Sequence, residues 1–173
     1  MSKPGDSDWA ELREAQLLAT KKLKNVGMAV ITDVGDKDDI HPTKKAPVGA
    51  RLALLARKIA YREPITADGP TLTSAKFKDG KATLSFDNVG GGLEARGGAL
   101  SGFSIAGEDR EFVWANAVIE GDKVVVSDPA VSKPVAVRYG WADYPVVNLW
   151  NKDGLPASPY RTDDFPMVTQ PKK

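Results

Sequence analysis

The sequence contains no cysteine and only one histidine in 173 residues. Without thiols there is no disulfide framework, no thiolate nucleophile and no zinc–thiolate site, although the compartment stays open. One imidazole also excludes any site built from two or more histidines of one chain. Charge of one sign is missing too. The 24 Lys+Arg and 23 Asp+Glu leave a net charge of +1, so there is no electrostatic reason to expect nucleic acid or an anionic membrane as partner. No window approaches the roughly 20 apolar residues that a membrane helix needs. The opening Met1-Ser2-Lys3-Pro4-Gly5-Asp6-Ser7-Asp8 lacks the apolar stretch of a secretory signal. What remains is a soluble globular protein of one domain or two small ones, long enough to bury about 70% of its unfolded surface. Its chemistry must run through carboxylates, hydroxyls and one imidazole, with no cofactor or metal expected.

The front third reads as helix, strand, loop, helix. Residues 8–24 form an amphipathic pattern, with Asp8 as cap, Glu11 completing a capping-box-like pair, and Trp9, Leu12, Ala15, Leu18 and Ala19 as the apolar stripe. Lys21, Lys22 and Lys24 stand at the negative end of the helix dipole. Residues 27–32 are apolar and β-branched, which predicts a buried strand. A second helix is predicted over 44–61, with Val48, Leu52, Leu55, Ala56 and Ile59 inward and Arg51, Arg57 and Lys58 on a solvated face.

A linker, residues 62–70, then separates this segment from short strand-like runs at 71–78, 82–89, 102–106, 111–119, 124–127 and 135–141. Asp79-Gly80 is a strong hairpin signal because both residues tolerate positive φ. The pattern predicts an α/β segment over 1–62 followed by an all-β antiparallel sandwich-like domain over 63–173, irregular from about residue 148. One strand and two helices do not make an α/β domain, because a parallel sheet needs several neighbours. Either the front segment packs on the β-region as an appendage, or it is the end of a larger domain encoded elsewhere; the second is expected.

The lone histidine falls in Gly35-Asp36-Lys37-Asp38-Asp39-Ile40-His41-Pro42, after the predicted strand and before the second helix. In open α/β sheets reactive groups collect at the carboxyl ends of strands. A carboxylate beside an imidazole fixes its tautomer and stabilises the imidazolium formed in base catalysis. Asp38 and Asp39 both stand within reach of His41. The same spacing also fits a solvated acidic loop with a surface histidine. An EF-hand beginning at Asp36 fails twice, with His41 where Gly is required and Pro47 where Glu is required. Gly90-Gly91-Gly92 and Gly97-Gly98 lack a P-loop pattern and read as turns. Trp114 and Trp141 read as core, whereas Trp150 and Tyr160, in the tail, are the better surface candidates for stacking on a sugar.

The stretch Asp33-Val34-Gly35-Asp36-Lys37-Asp38-Asp39-Ile40-His41-Pro42-Thr43-Lys44-Lys45 resembles the last catalytic block of the sialate O-acetylesterase-like family of SGNH (GDSL-like) hydrolases. The following Val48-Gly49-Ala50-Arg51-Leu52-Ala53-Leu54-Leu55-Ala56 is similar to the helix after that family's catalytic histidine. Trp9 with Arg13-Glu14-Ala15-Gln16 resembles its W…REAQ helix. Leu84-Ser85-Phe86, Val89-Gly90-Gly91-Gly92-Leu93, Val137-Arg138-Tyr139-Gly140-Trp141-Ala142 and Asn148 through Thr162 resemble its C-terminal β-domain. The resemblance implies a carboxylic ester hydrolase acting on an acylated carbohydrate or other small ester. A Ser attacks the carbonyl, His41 serves as general base, and Asp38 or Asp39 orients it. The family's D-x-x-H spacing selects Asp38, with Asp39 lying inside the D-I-H-P string; both stay open, with the spacing leaning to Asp38.

The G-Q-S-N-like nucleophile block of the family is absent. Ser2 and Ser7 lack its context, and Ser104, in Gly102-Phe103-Ser104-Ile105-Ala106-Gly107, misses the G-x-S-x-G spacing. Loss of a triad nucleophile costs roughly 10⁶ in kcat, about 8 kcal/mol of barrier at ~1.36 kcal/mol per decade. The chain is therefore expected to be the C-terminal portion of such an esterase, active with a complementing Ser-bearing segment or prone to self-association. The competing reading is a noncatalytic carbohydrate-binding or architectural β-sandwich module. The family is often exported or lysosomal, which leaves the location of this chain open.

Overall fold

A computed structural model describes residues 4–170. Two helices, α1 (Asp8–Lys22) and α2 (Lys45–Ala60), precede ten strands. These are β1 (Thr71–Lys78), β2 (Lys81–Asp87), β3 (Leu93–Ala95), β4 (Phe103–Ala106), β5 (Val113–Trp114), β6 (Asn116–Glu120), β7 (Lys123–Ser127), β8 (Ala136–Tyr139), β9 (Leu149–Asn151) and β10 (Tyr160–Arg161). The cap of α1 is Ser7 rather than Asp8. Its hydroxyl accepts from the Ala10 N–H at 3.0 Å and satisfies one of the helix's orphan donors. Glu11 is thereby released from the expected capping box.

The strand expected over 27–32 does not form. A strand requires a partner to take its N–H and C=O groups, and no strand among the described residues pairs with this segment. Of the α/β layer expected over 1–62, the described chain shows two helices joined by residues 23–44, which carry neither helix nor strand.

The β-region consists of antiparallel sheets in the orders β1-β2-β7-β6 and β10-β8-β4-β5, with a separate β3-β9 pair. Alternation decides which side chains meet. Ala82, Leu84 and Phe86 of β2 and Val124 and Val126 of β7 share one buried core with Phe103 and Ile105 of β4 and Val137 and Tyr139 of β8. Each large apolar side chain buried there contributes about 1.5–3 kcal/mol relative to exposure. Tyr139 lies 4.6 Å from Phe103 and 5.5 Å from Tyr160, ring centre to ring centre. The Asp79-Gly80 hairpin forms as expected, with φ of 50° and 73° and Lys78 opposite Lys81.

One strand expectation and one burial expectation fail for physical reasons. The run at 111–119 is divided, because β5 pairs with β4 in one sheet and β6 with β7 in the other. A period-two pattern carries no record of such a change of partner. The tail from residue 148 is irregular apart from β9 and β10, as expected, but it is not all surface: Leu149, Ala157 and Tyr160 belong to the core. Prolines block ladder bonds but not burial, and Asn151 replaces the missing ladder with side-chain bonds. Its amide donates to the carbonyls of Asn88 (2.9 Å) and Asp68 (3.2 Å), and its oxygen accepts from the Leu155 N–H at 2.9 Å. Trp150 and Tyr160 are consequently buried, not surface platforms, at 9% and 5% exposure.

Candidate active site

The loop bearing the histidine is set by what its flanking elements bury. α2 turns inward only part of the predicted apolar face: Leu55 is buried and Val48 and Ile59 partly so, but buried Arg51 takes the place expected of Leu52, which is 50% exposed. Arg51, expected on a solvated face, instead forms a fork on Asp33, with Nη1 to Oδ1 at 2.6 Å and Nη2 to Oδ2 at 2.8 Å. Its Nη1 also donates to the Val30 carbonyl at 2.7 Å. A bidentate guanidinium–carboxylate pair is the strongest polar contact available to such side chains, and it outweighs the apolar preference of Leu52 for that face.

Beyond Asp33 the chain makes a turn, with the Val34 N–H donating to the Ile31 carbonyl at 3.1 Å, and Val34 is buried. Two short Asx turns follow. Asp36 Oδ1 accepts from the Asp38 N–H at 2.9 Å. Asp39 Oδ1 accepts from the His41 N–H at 2.8 Å and lies 3.1 Å from His41 Nδ1. The loop therefore brings His41 to Asp39. Among the described residues no hydrogen bond or ion pair joins Asp38 to His41, despite the D-x-x-H spacing. With Nδ1–H donated to the carboxylate, Nε2 is left with its lone pair free, the state a general base requires. The imidazole side chain is 81% exposed and the Asp39 side chain 59%, so water or a partner can reach Nε2.

The hydroxyls named from the sequence are elsewhere. Ser7 is buried, donating to Asp143 Oδ1 at 2.6 Å while it caps α1. Ser104 is buried within β4, and Ser2 lies outside the described residues. Among the described residues no hydroxyl bonds to His41. Tyr144, half exposed, stands beside the loop: a Cβ placed on Gly35 would be 4.0 Å from its ring. Gly90, Gly91 and Gly92 form the turn expected of them, with the Gly92 N–H donating to the Val89 carbonyl at 2.9 Å. Among the described residues no group of three or more His, Asp or Glu side chains is arranged to hold a metal ion, and no helix is long and apolar enough to cross a membrane.

α1 is placed by polar contacts. Arg13 donates to the Ala142 carbonyl. The Arg161 Nε donates to Glu14 at 2.9 Å, and Glu11 accepts from the N–H groups of Val168 (2.8 Å) and Thr169 (3.0 Å). The stripe predicted to be buried points outward instead, with Trp9 and Leu12 about half exposed and Leu18 little less so. Sequence reasoning missed Asp33, Arg51 and Trp150 as neighbours of the loop. One signal was available: Arg51 falls in register with Val48, Leu55 and Ile59, and an arginine inside an apolar stripe calls for a buried carboxylate.

No family model matches the chain. It is 28% identical over 149 residues to the sialate O-acetylesterase of Mus musculus, which covers 79% of this chain and 27% of that protein. It is 51% identical to a carbohydrate acetylesterase of known crystal structure from Xanthomonas citri, at a TM-score of 0.90, covering 95% of this chain and 38% of that one. The chain thus spans well under half the length of each protein it matches.

Proposed function

Because the chain is sialate O-acetylesterase-like in sequence and in fold, we propose that it is the acid–base portion of an esterase that deacylates carbohydrate, working by a Ser-His-Asp mechanism. The observation that carries this reading is the His41–Asp39 pair, with Nε2 unencumbered on an exposed loop. His41 takes the proton of an attacking serine and returns it to the departing alcohol. Asp39 holds the ring and stabilises the imidazolium. Asp38 is the competing acid on spacing alone, and the hydrogen bonds favour Asp39. Tyr144, beside Gly35, is the side chain of the β-region best placed to meet the sugar. In this reading residues 1–62 are the closing piece of an SGNH-like α/β layer, and residues 63–173 are its β-domain.

The serine then comes from a complementing α/β segment, which covers the outward apolar side chains Trp9, Leu12 and Leu18 of α1 and Leu52 of α2. Two facts support that occupant over a second copy of this chain. The larger part of the Xanthomonas citri protein lies outside the match, and residues 27–32 lack the strand neighbours that such a layer would supply. The test is hydrolysis of p-nitrophenyl acetate, with phosphonate labelling, by this chain co-expressed with a Ser-bearing SGNH-type segment. Turnover and a labelled serine are expected, with a loss of about 10⁴–10⁶ in His41→Ala. Turnover that survives His41→Ala, or none in the complemented protein, overturns the proposal.

A further inference from the structure

The loop's internal bonds do not by themselves fix where it stands on the protein. Among the described residues, the hydrogen bonds between Val34 and the start of α2 run within the loop, from the Asp38 N–H to Asp36, from the His41 N–H to Asp39, and from the Lys45 N–H to the Thr43 carbonyl at 2.9 Å, with the His41 ring beside Asp39 as well. Among the described residues, the hydrogen bonds that join its two roots come from one side chain. Arg51, two turns into α2, holds Asp33 at the other root and the Val30 carbonyl just before it. The guanidinium is buried, with the ring centre of Trp150 of β9 5.4 Å from it, and Arg96 lies over the same ring at 4.1 Å. Trp150 is in turn fixed by pairing with Glu94 and bridging to Pro156.

We infer that Arg51 is a positioning residue for the acid–base pair, clamping the two roots of the His41 loop through Asp33, and that Trp150 makes the β-region part of that clamp. The inference rests on the proposed role of His41. It goes further in assigning a task to residues that touch no reacting atom, and in giving the β-region a reason to accompany the α/β portion. Loops with closed roots sample fewer conformations, and the Asx turn at Asp39 is exposed, so its persistence depends on the strain-free spacing that the clamp sets.

His41 is the sole histidine, so its ring nitrogens give one set of long-range ¹H–¹⁵N signals, and no turnover is needed to read them. Wild type is expected to show the Nδ1–H tautomer at neutral pH. Arg51→Met and the isosteric Asp33→Asn are expected to shift the population predominantly to Nε2–H, as in a free imidazole, with far-UV circular dichroism unchanged. Arg51→Lys, which keeps the charge but not the fork, is expected to recover part of the wild-type signal. Should Arg51→Met fail to fold, Asp33→Asn carries the test alone. Folded variants with an unaltered His41 signal overturn the inference, as does a wild-type ring already in the Nε2–H form. The acetate assay reports separately on the esterase reading.

Discussion

Asp163 is the most deeply buried carboxylate of the tail, with a side chain 1% exposed, and it holds Arg138 by two bonds, from Nε at 2.9 Å and from Nη2 at 3.0 Å. Arg161 lies 3.4 Å away, and Asp6 meets Arg138 at 3.2 Å. Burial alone would depress the Arg138 pKa, but the bonds and charge of Asp163, with those of Asp6, raise it, so the guanidinium stays charged on every accessible side of neutrality. Asp163→Ala would leave the buried Arg138 cation, between Phe112 and Trp141 with ring centres at 4.2 and 5.1 Å, with only the exposed Asp6 as its carboxylate partner. Removing one partner of a buried pair costs about 3–5 kcal/mol, whereas replacing both by apolar groups of similar volume is often neutral. At ~2.1 cal/mol/K per residue, a chain of this length loses roughly 3 °C of Tm per kcal/mol, so Asp163→Ala should melt about 8–14 °C lower. Arg138→Met/Asp163→Leu should recover at least half of that. Calorimetry with urea titration checks both. A loss under about 1 kcal/mol for Asp163→Ala, or a double variant as costly as the summed singles, would refute the reasoning.

Gly69→Ala should destabilise by about 2 kcal/mol or more in urea titration, because a Cβ there would lie 1.9 Å from the Pro156 carbonyl oxygen, a backbone atom that cannot swing aside. Burial works to raise the Glu11 pKa, but the bonds from the Thr169 hydroxyl and from the Val168 and Thr169 N–H groups outweigh it and hold it below the usual carboxylate value. The stability this adds is therefore present above the unfolded pKa of about 4.3 and is lost as pH falls through the lower folded value. Protection of the Thr169 amide against hydrogen exchange, relative to the unstructured rate at each pH, should fall in acid, and Glu11→Gln should remove that dependence; an unchanged protection profile in the variant contradicts it. Asp39→Asn should abolish the Nδ1–H preference of His41 while Asp38→Asn leaves it, read by the same ¹⁵N spectra, and the reverse order would restore the claim of the D-x-x-H spacing. Trp9→Ser with Leu52→Ser should leave the melting temperature of this chain within about 2 °C but weaken capture of a Ser-bearing α/β segment in pull-down; a large melting shift would place those side chains in this chain's own core.

Local chemistry was legible in the sequence where local rules decide. The Asp79-Gly80 turn, the strand-like runs at 82–89 and 124–127, and the His41 loop ahead of α2 all follow from residue type and period. Three features turned on partners that no local pattern records. Trp150 is surface-like by its irregular, proline-rich surroundings, yet Asn151 supplies the bonds that let that segment be buried. Arg51 is solvated by its charge, yet Asp33 brings it in. Asp38 is favoured by spacing, yet it is Asp39 whose carboxylate meets the backbone N–H and Nδ1 of His41. In each case a specific hydrogen bond overrode a composition-level preference.

The docking of α1 follows from the same competition. A helix with Trp9, Leu12 and Leu18 on one stripe would, by hydrophobic burial alone, turn that stripe to the β-region. It turns Ser7, Glu11, Arg13 and Glu14 there instead, each with a named partner on the segment 142–169. Buried ionic and hydrogen-bonded contacts add little net stability against an apolar alternative, but they admit only one register, since any rotation of the helix would leave several charges unpaired. Polar docking thus fixes the orientation of α1 without consuming its apolar side. A helix needed only to cover the β-region would gain more from Trp9 and Leu12 inward. The arrangement found leaves those side chains exposed, as the proposed α/β segment would need of α1 and α2.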